Sequence, residues 1–216
     1  MKKLLKLAVG AVLAGFIGFG TANAATFDFV AIADSGVGPF YGEKGGDPLS
    51  FTSGALTLDV TGTKDGGSAF AYLDKSANPP SPISPAGMGV CGVLDGNDQC
   101  SPGSDDQVQQ GEVLTLTFSE EVTTTEWGFN GPNHGNTFVA GHSLLLSVDG
   151  GTFMSMALDD PTFAAFNGLT GTTFAIMWEN VDLYLAQVSV VPLPPAAFLF
   201  AAALAGLGWL GRRRKV

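Results

Sequence analysis

The amino-acid sequence predicts an all-β domain, a jelly-roll-like antiparallel β-sandwich, between an N-terminal signal peptide and a C-terminal transmembrane helix. Short runs rich in Val, Leu, Phe and Thr alternate apolar with polar residues, and Gly, Asn, Asp and Pro clusters break them roughly every 8 to 15 residues. No convincing amphipathic helical pattern interrupts the series. Each such strand has one apolar face to cover, so two packed sheets follow. An immunoglobulin-like sandwich is the alternative, but its inter-sheet Cys…Trp…Cys arrangement is missing because Cys91 and Cys100 lie close together.

At the N-terminus, Lys2, Lys3 and Lys6 precede an apolar stretch over residues 7–20, and Ala22-Asn23-Ala24 supplies the small residues that signal peptidase accepts before Ala25. Residues 1–24 therefore read as a secretory signal peptide. A retained membrane helix is the weaker alternative, since about 14 apolar residues cover roughly 21 Å of a roughly 30 Å hydrocarbon core. The first strand is expected over 26–33 and the second over 55–61, where Leu56, Leu58 and Val60 alternate with Thr57, Asp59 and Thr61. A strand over 69–73 leads into a loop over 76–85 whose Pro79, Pro80, Pro82 and Pro85 cannot donate a regular ladder. The pattern is strongest at Val113, Leu114, Leu116 and Phe118, followed by a separate strand over 123–129 carrying Trp127. Strands over 143–148 and 152–156 flank Asp149-Gly150-Gly151, a hairpin signal. A second hairpin is expected between 172–178 and 183–190 around Glu179-Asn180-Val181-Asp182.

Residues 25–190 are enough for one core and too few for two comfortable domains. The chain carries a net charge of −10. Seven of its ten basic residues sit in the two ends, leaving Lys44, Lys64 and Lys75 against twenty acidic residues, a net of −17 for the middle. Such a surface repels phosphate backbones, which disfavours nucleic acid as a partner, and it attracts cations or merely keeps an exported domain soluble. Cys91 and Cys100 are the only cysteines, and in an oxidising compartment they are expected to form a disulfide. Chain entropy gives that bond somewhat under about 3 kcal/mol. A metal-binding thiol pair is the alternative, but no second Cys pair or nearby His completes a zinc set.

The chain closes on Val191-Pro192-Leu193-Pro194-Pro195, an apolar run over 196–211, and Arg212-Arg213-Arg214-Lys215 before Val216. Prolines suit the first turn of a helix, and about 16 apolar residues give roughly 24 Å, a short span workable with interfacial Trp209 and a thinned bilayer. The basic cluster would stay cytoplasmic, with the acidic domain outside. A core helix of a soluble domain would not account for that cluster.

This tripartite tail, about 26 residues over 191–216, resembles the PEP-CTERM sorting signal of exopolysaccharide-producing Gram-negative bacteria, which membrane proteases called exosortases handle. The family's Pro-Glu-Pro is here Pro192-Leu193-Pro194. The resemblance implies export through the inner membrane, transient anchoring there by the tail helix, cleavage near the Pro motif by an exosortase-type protease, and a final place on the cell surface or in the exopolysaccharide matrix. It implies no activity, because proteins sharing this tail have unrelated middles. Gly87-Met88-Gly89-Val90-Cys91, followed by Ser104-Asp105-Asp106-Gln107-Val108 and the strand from Glu112 to Phe118, also looks like a recurring segment of tail-bearing surface proteins.

Catalytic patterns are sparse. His134 and His142 stand in Asn133-His134-Gly135 and Gly141-His142-Ser143, without a His-Glu-x-x-His pair, and no Gly-x-Ser-x-Gly elbow occurs. Glu120 and Glu121 are adjacent, so on a strand they point to opposite faces. No cofactor is marked with certainty by the sequence, and calcium is the one candidate. Asp95, Asn97, Asp98, Asp105 and Asp106 concentrate oxygen ligands on both sides of Cys100, where a disulfide would hold the roughly six to eight oxygens that calcium takes; EF-hand spacing is lacking, and a solvated polar turn explains the same residues. Sugar stacking on Tyr41, Tyr72, Trp127 or Trp178 is a further option, set against the fact that strand aromatics are more often buried. The expectation is a non-catalytic surface or exopolysaccharide-associated protein. A carbohydrate- or calcium-binding adhesion module is the alternative, and a secreted hydrolase stands behind both.

Overall fold

Asp28 divides the first expected strand in two. Its carboxylate accepts a hydrogen bond from the Ala31 N–H at 2.9 Å, an N-cap that ends strand β1 (Ala25–Asp28) and starts helix α1 (Phe29–Asp34), burying Phe29 and Ala33. The cap and these two buried contacts outweigh the β propensity of Val30 and Ile32, so residues 29–33 are helical rather than extended.

The computed structural model describes residues 23–35, 43–75 and 86–193. Residues 1–22 of the signal peptide, the Pro-rich loop, Tyr41, the apolar tail, Pro194 and Arg212, Arg213 and Arg214 lie outside the described residues. Among the described residues no helix is long and apolar enough to cross a membrane. Ala24–Pro192 form one compact unit. Among the described residues it is all-β, with eleven strands and antiparallel pairing between them.

After α1 come β2 (Lys44–Gly46), β3 (Leu49–Ser53), β4 (Leu56–Lys64), β5 (Gly67–Asp74) and β6 (Gly87–Cys91). Then follow β7 (Glu112–Asn130), β8 (Ser143–Val148), β9 (Met154–Ala157), a 3-10 turn (Ala164–Phe166), β10 (Thr170–Trp178) and β11 (Tyr184–Pro192). Alternation sets which face is buried. In β4, Leu56, Leu58 and Val60 are buried while Thr57, Asp59 and Thr61 are half-buried.

The two strands expected over 113–118 and 123–129 are one 19-residue strand, β7. Its first half pairs with β4, from Glu112 opposite Lys64 to Phe118 opposite Leu58, and its second half pairs with β11, from Val122 opposite Pro192 to Asn130 opposite Tyr184. Between the halves the register with β10 jumps from Thr117–Thr173 to Val122–Gly171, so residues 118–121 carry the bend that turns β7 from one partner to the other. Glu120 and Glu121 belong to this bend.

The β8–β9 hairpin forms around Asp149 and Gly150, both at positive φ. The hairpin expected between β10 and β11 does not form. β10 pairs with β8 and β7, whereas β11 pairs with β1, β6 and β7. The link over 179–183 is held instead by its own side chains: Asn180 accepts from the Ser143 N–H and donates to the Gly141 carbonyl, each at 2.9 Å, and the Trp178 indole donates to Asp182 at 2.9 Å. These bonds tie the link to the start of β8, so β11 departs to pair elsewhere.

The apolar faces meet in a sandwich-like core. Phe27 of β1 lies 6.1 Å from Phe118 of β7, Phe118 lies 5.9 Å from Phe174 of β10, and Trp127 of β7 lies 6.0 Å from Phe174, centroid to centroid. Burial of each such ring contributes about 1.5–3 kcal/mol beyond leaving it exposed.

Candidate functional site

The chain between β6 and β7 folds back on itself as a cross-linked loop. The Cys91 and Cys100 sulfurs are bonded at 2.02 Å, as the cysteine count predicts. Their proximity to Asp105 has the spacing of a metal set, but two sulfurs bonded to each other offer no thiolate.

The five expected calcium ligands are dealt to separate partners. Asp95 is exposed, and its Oδ1 accepts the N–H groups of Asn97 at 2.7 Å and Gln99 at 3.0 Å, which holds its carboxyl below the usual aspartate value. Asn97 sits in that exposed turn, and Asp98, at φ 61°, faces Lys44 at 3.9 Å. Asp105 meets the Lys64 ammonium at 2.7 Å and the Gly92 N–H at 2.9 Å. Asp106 accepts the Tyr184 hydroxyl at 3.0 Å. Among the described residues, Asp95, Asp98, Asp105 and Asp106 do not come together at ligand spacing.

Lys64 lies between Asp105 and Glu112, 2.9 Å from the Glu112 Oε1, and hydrogen bonds to both carboxylates raise its ammonium well above the ordinary lysine value. Glu112 is 0% exposed; burial pushes its carboxyl up, while Lys64 and the Gln109 N–H at 2.8 Å pull it back. This triad fastens the loop to the ends of β4 and β7.

A second cluster forms where the same loop crosses β6. Gly89 permits the crossing, since a Cβ there would overlap the Asp106 carbonyl oxygen. The Val90 N–H donates to the Gln107 carbonyl at 3.2 Å, and Val108 exchanges backbone bonds with Leu183 at 2.8 and 3.3 Å. Asp106 is thereby set beside Asp74 at the end of β5 and Tyr184 at the start of β11. His134 enters from a turn in which its N–H donates to the Gly131 carbonyl at 2.9 Å. The Tyr184 hydroxyl stands 3.2 Å from the His134 Nε2, which is 3.6 Å from the Asp74 Oδ2.

Asp74 is 4% exposed, and its Oδ2 is buried without a hydrogen bond. Burial, reinforced by the negative charges of Asp106 and Glu43, raises its carboxyl to about 7. Burial also raises Asp106, and burial with both aspartates raises the Tyr184 phenol far above its ordinary value. The cluster ties four segments together: the end of β5, the loop before β7, the turn carrying His134 and the start of β11. Two open cavities, each of about 650 Å³, are lined by other residues.

Sequence reasoning did not pair Asp74, Tyr184 and His134 with Asp106. The available signal was the Gly87-to-Cys91 and Ser104-to-Val108 segment, whose two halves the fold lays across each other. The aromatic platforms are corrected: Trp127 and Tyr72 are each 2% exposed. Alternation turned Trp127 inward, where it stacks on Phe129 at 5.9 Å, and Tyr72 packs against the disulfide. Trp178 is half-buried and bonded to Asp182. Of the sorting motif, Pro192 ends β11 opposite Val122 and Leu193 follows it.

No family model, no curated protein and no solved structure matches this chain.

Proposed function

We propose that the chain is an exported protein of the cell surface or exopolysaccharide matrix, delivered by its signal peptide, anchored transiently in the inner membrane by its tail, and processed there by an exosortase-type protease. Its middle is a non-catalytic β-sandwich of jelly-roll type. The observation that carries this reading is the pattern of the two ends, a basic, apolar and small-residue run before Ala25 and a Pro motif, apolar run and basic cluster over 191–216; Cys91 and Cys100, brought to bonding distance by the fold, accord with an oxidising compartment.

Expression of the full chain in a Gram-negative host, with its tail-processing protease intact or deleted, tests the reading by intact mass and cell fractionation. The expected product of the intact host begins at Ala25 and lacks the tail, whereas the deletion host retains the tail in the inner membrane. Unchanged mass and location in the deletion host would defeat the sorting proposal.

A further inference from the structure

Lys64 is the last residue of β4 and stands opposite Glu112, the first residue of β7, so the register of two strands sets an amine beside a buried carboxyl. Asp105 reaches the same amine from the loop between β6 and β7. The Lys64 Nζ lies 2.7 Å from the Asp105 Oδ1 and 2.9 Å from the Glu112 Oε1. The other lysine pairs among the described residues, Lys44–Asp98 and Lys75–Glu43, are each 3.9 Å apart and more exposed. Only at Lys64 do two carboxyls converge on one ammonium.

The three groups are set differently, in a way that suits a reaction between them. The Gly92 N–H donates to the Asp105 Oδ2 at 2.9 Å, which draws electron density from the carboxyl carbon and stabilises negative charge developing on that oxygen. A Cβ at Gly92 would stand 2.9 Å from the same oxygen, so the close approach depends on glycine. Glu112 is wholly buried, and among the described residues its Oε1 has no donor other than the Lys64 ammonium. Burial pushes its carboxyl up, which lowers the cost of moving a proton to it from that ammonium. At rest, hydrogen bonds to both carboxylates keep Lys64 protonated. A reaction that occurs once in the life of each molecule needs only occasional transfer, because the fold holds the partners in contact throughout.

We propose that Lys64 and Asp105 are joined by an isopeptide bond that the folded chain forms by itself, with Glu112 as the proton carrier. One proton passes from the ammonium to Glu112, and the neutral amine attacks the Asp105 carboxyl carbon. An N–C bond forms, and the bond from that carbon to Oδ1 breaks. Oδ1 leaves as water with two of the three ammonium protons, one of them returned by Glu112, and the third stays on the amide nitrogen. The positive charge of Lys64 and the negative charge of Asp105 cancel, so the step needs no other reactant. The product ties the end of β4 to a loop residue 41 positions further along the chain, beside the shorter disulfide loop. This bond goes beyond the sorting reading and does not depend on the processing of either end.

The test is the mass of the full chain, folded in detergent and then reduced and denatured. The expected mass lies one water, about 18 Da, below that calculated for the same chain ends, and digestion yields a branched peptide joining Lys64 to Asp105. Lys64→Arg and Asp105→Ala should show the full calculated mass. Wild type and Glu112→Gln, isolated unfolded from inclusion bodies and refolded side by side, separate the proton carrier from the pair it serves. The loss of water should be at least about a hundredfold slower in the variant. Should Glu112→Gln fail to fold, the wild-type mass and the branched peptide decide. A folded wild-type chain at the full calculated mass overturns the proposal, as does a loss of water mapped to other residues, or an undiminished rate in folded Glu112→Gln. None of these outcomes touches the sorting proposal, which is read from the chain's ends.

Discussion

Asp74 shows how position alone changes the chemistry of a common residue. It ends β5 as any polar residue might, yet the return of the loop over Gly89 closes it in with Asp106 and Tyr184, while Glu43 adds negative charge. His134 faces it at 3.6 Å, and the Lys75 N–H follows it along the chain. Its carboxyl is raised from the ordinary 3.8 to about 7, so the folded state binds the proton more tightly than the unfolded chain. The associated stability is fully present below pH 3.8 and is lost as pH rises through about 7. Urea melts across this window should show wild type losing stability as pH rises, and Asp74→Asn should flatten that slope; an unaltered slope in the variant would place the titration elsewhere. Nothing in the local sequence at Ala71-Tyr72-Leu73-Asp74-Lys75 distinguishes this aspartate from an exposed one, because its neighbours arrive from residues 106, 134 and 184.

Among the elements, the loop between β6 and β7 is held at several points, two of which can be cut separately. Lys64 joins Asp105 to Glu112, so Lys64→Met leaves the Glu112 carboxylate buried beside an apolar chain. The expected cost is about 1–3 kcal/mol, and Glu112→Gln in the same chain should recover part of it, both measured by urea denaturation. Removal of the disulfide by Cys91→Ser with Cys100→Ser should cost somewhat under about 3 kcal/mol, because the closed loop is short. Equal midpoints for oxidised wild type and the double variant would show that the loop is ordered without the bond. The disulfide and the alternation of β4 and β8 were legible in the sequence because each depends on residues close together. The unbroken course of β7 was not, since residues 118–121 look like a turn until β10 and β11 are placed beside them.

In the whole Ala24–Pro192 unit, β7 is the strand on which the layers agree. Phe118 at the start of its bend meets Phe27 and Phe174, and Trp127 after it meets Phe174 and Phe166. An alternating pattern can state that Trp127 and Phe118 each have a buried face; it cannot state that they share a partner. The same limit explains the candidate sites. The acidic residues around Cys100 were evident as a composition, and their division between Lys64, Lys44, backbone N–H groups and Tyr184 was not.

The sequence was sufficient for the all-β class, the strands of clear alternation, the Cys91–Cys100 bond and the expectation of an address at each end, because these follow from periodicity, local turn chemistry and the count of cysteines. Only the tertiary structure decided that Asp28 caps a helix, that β10 and β11 part company, that Trp127 lies inside, and that Asp74 and Asp106 share a buried site. Each of those outcomes depends on which distant backbone supplies a hydrogen-bond partner or removes water, and that is a property of register and packing rather than of neighbouring residues.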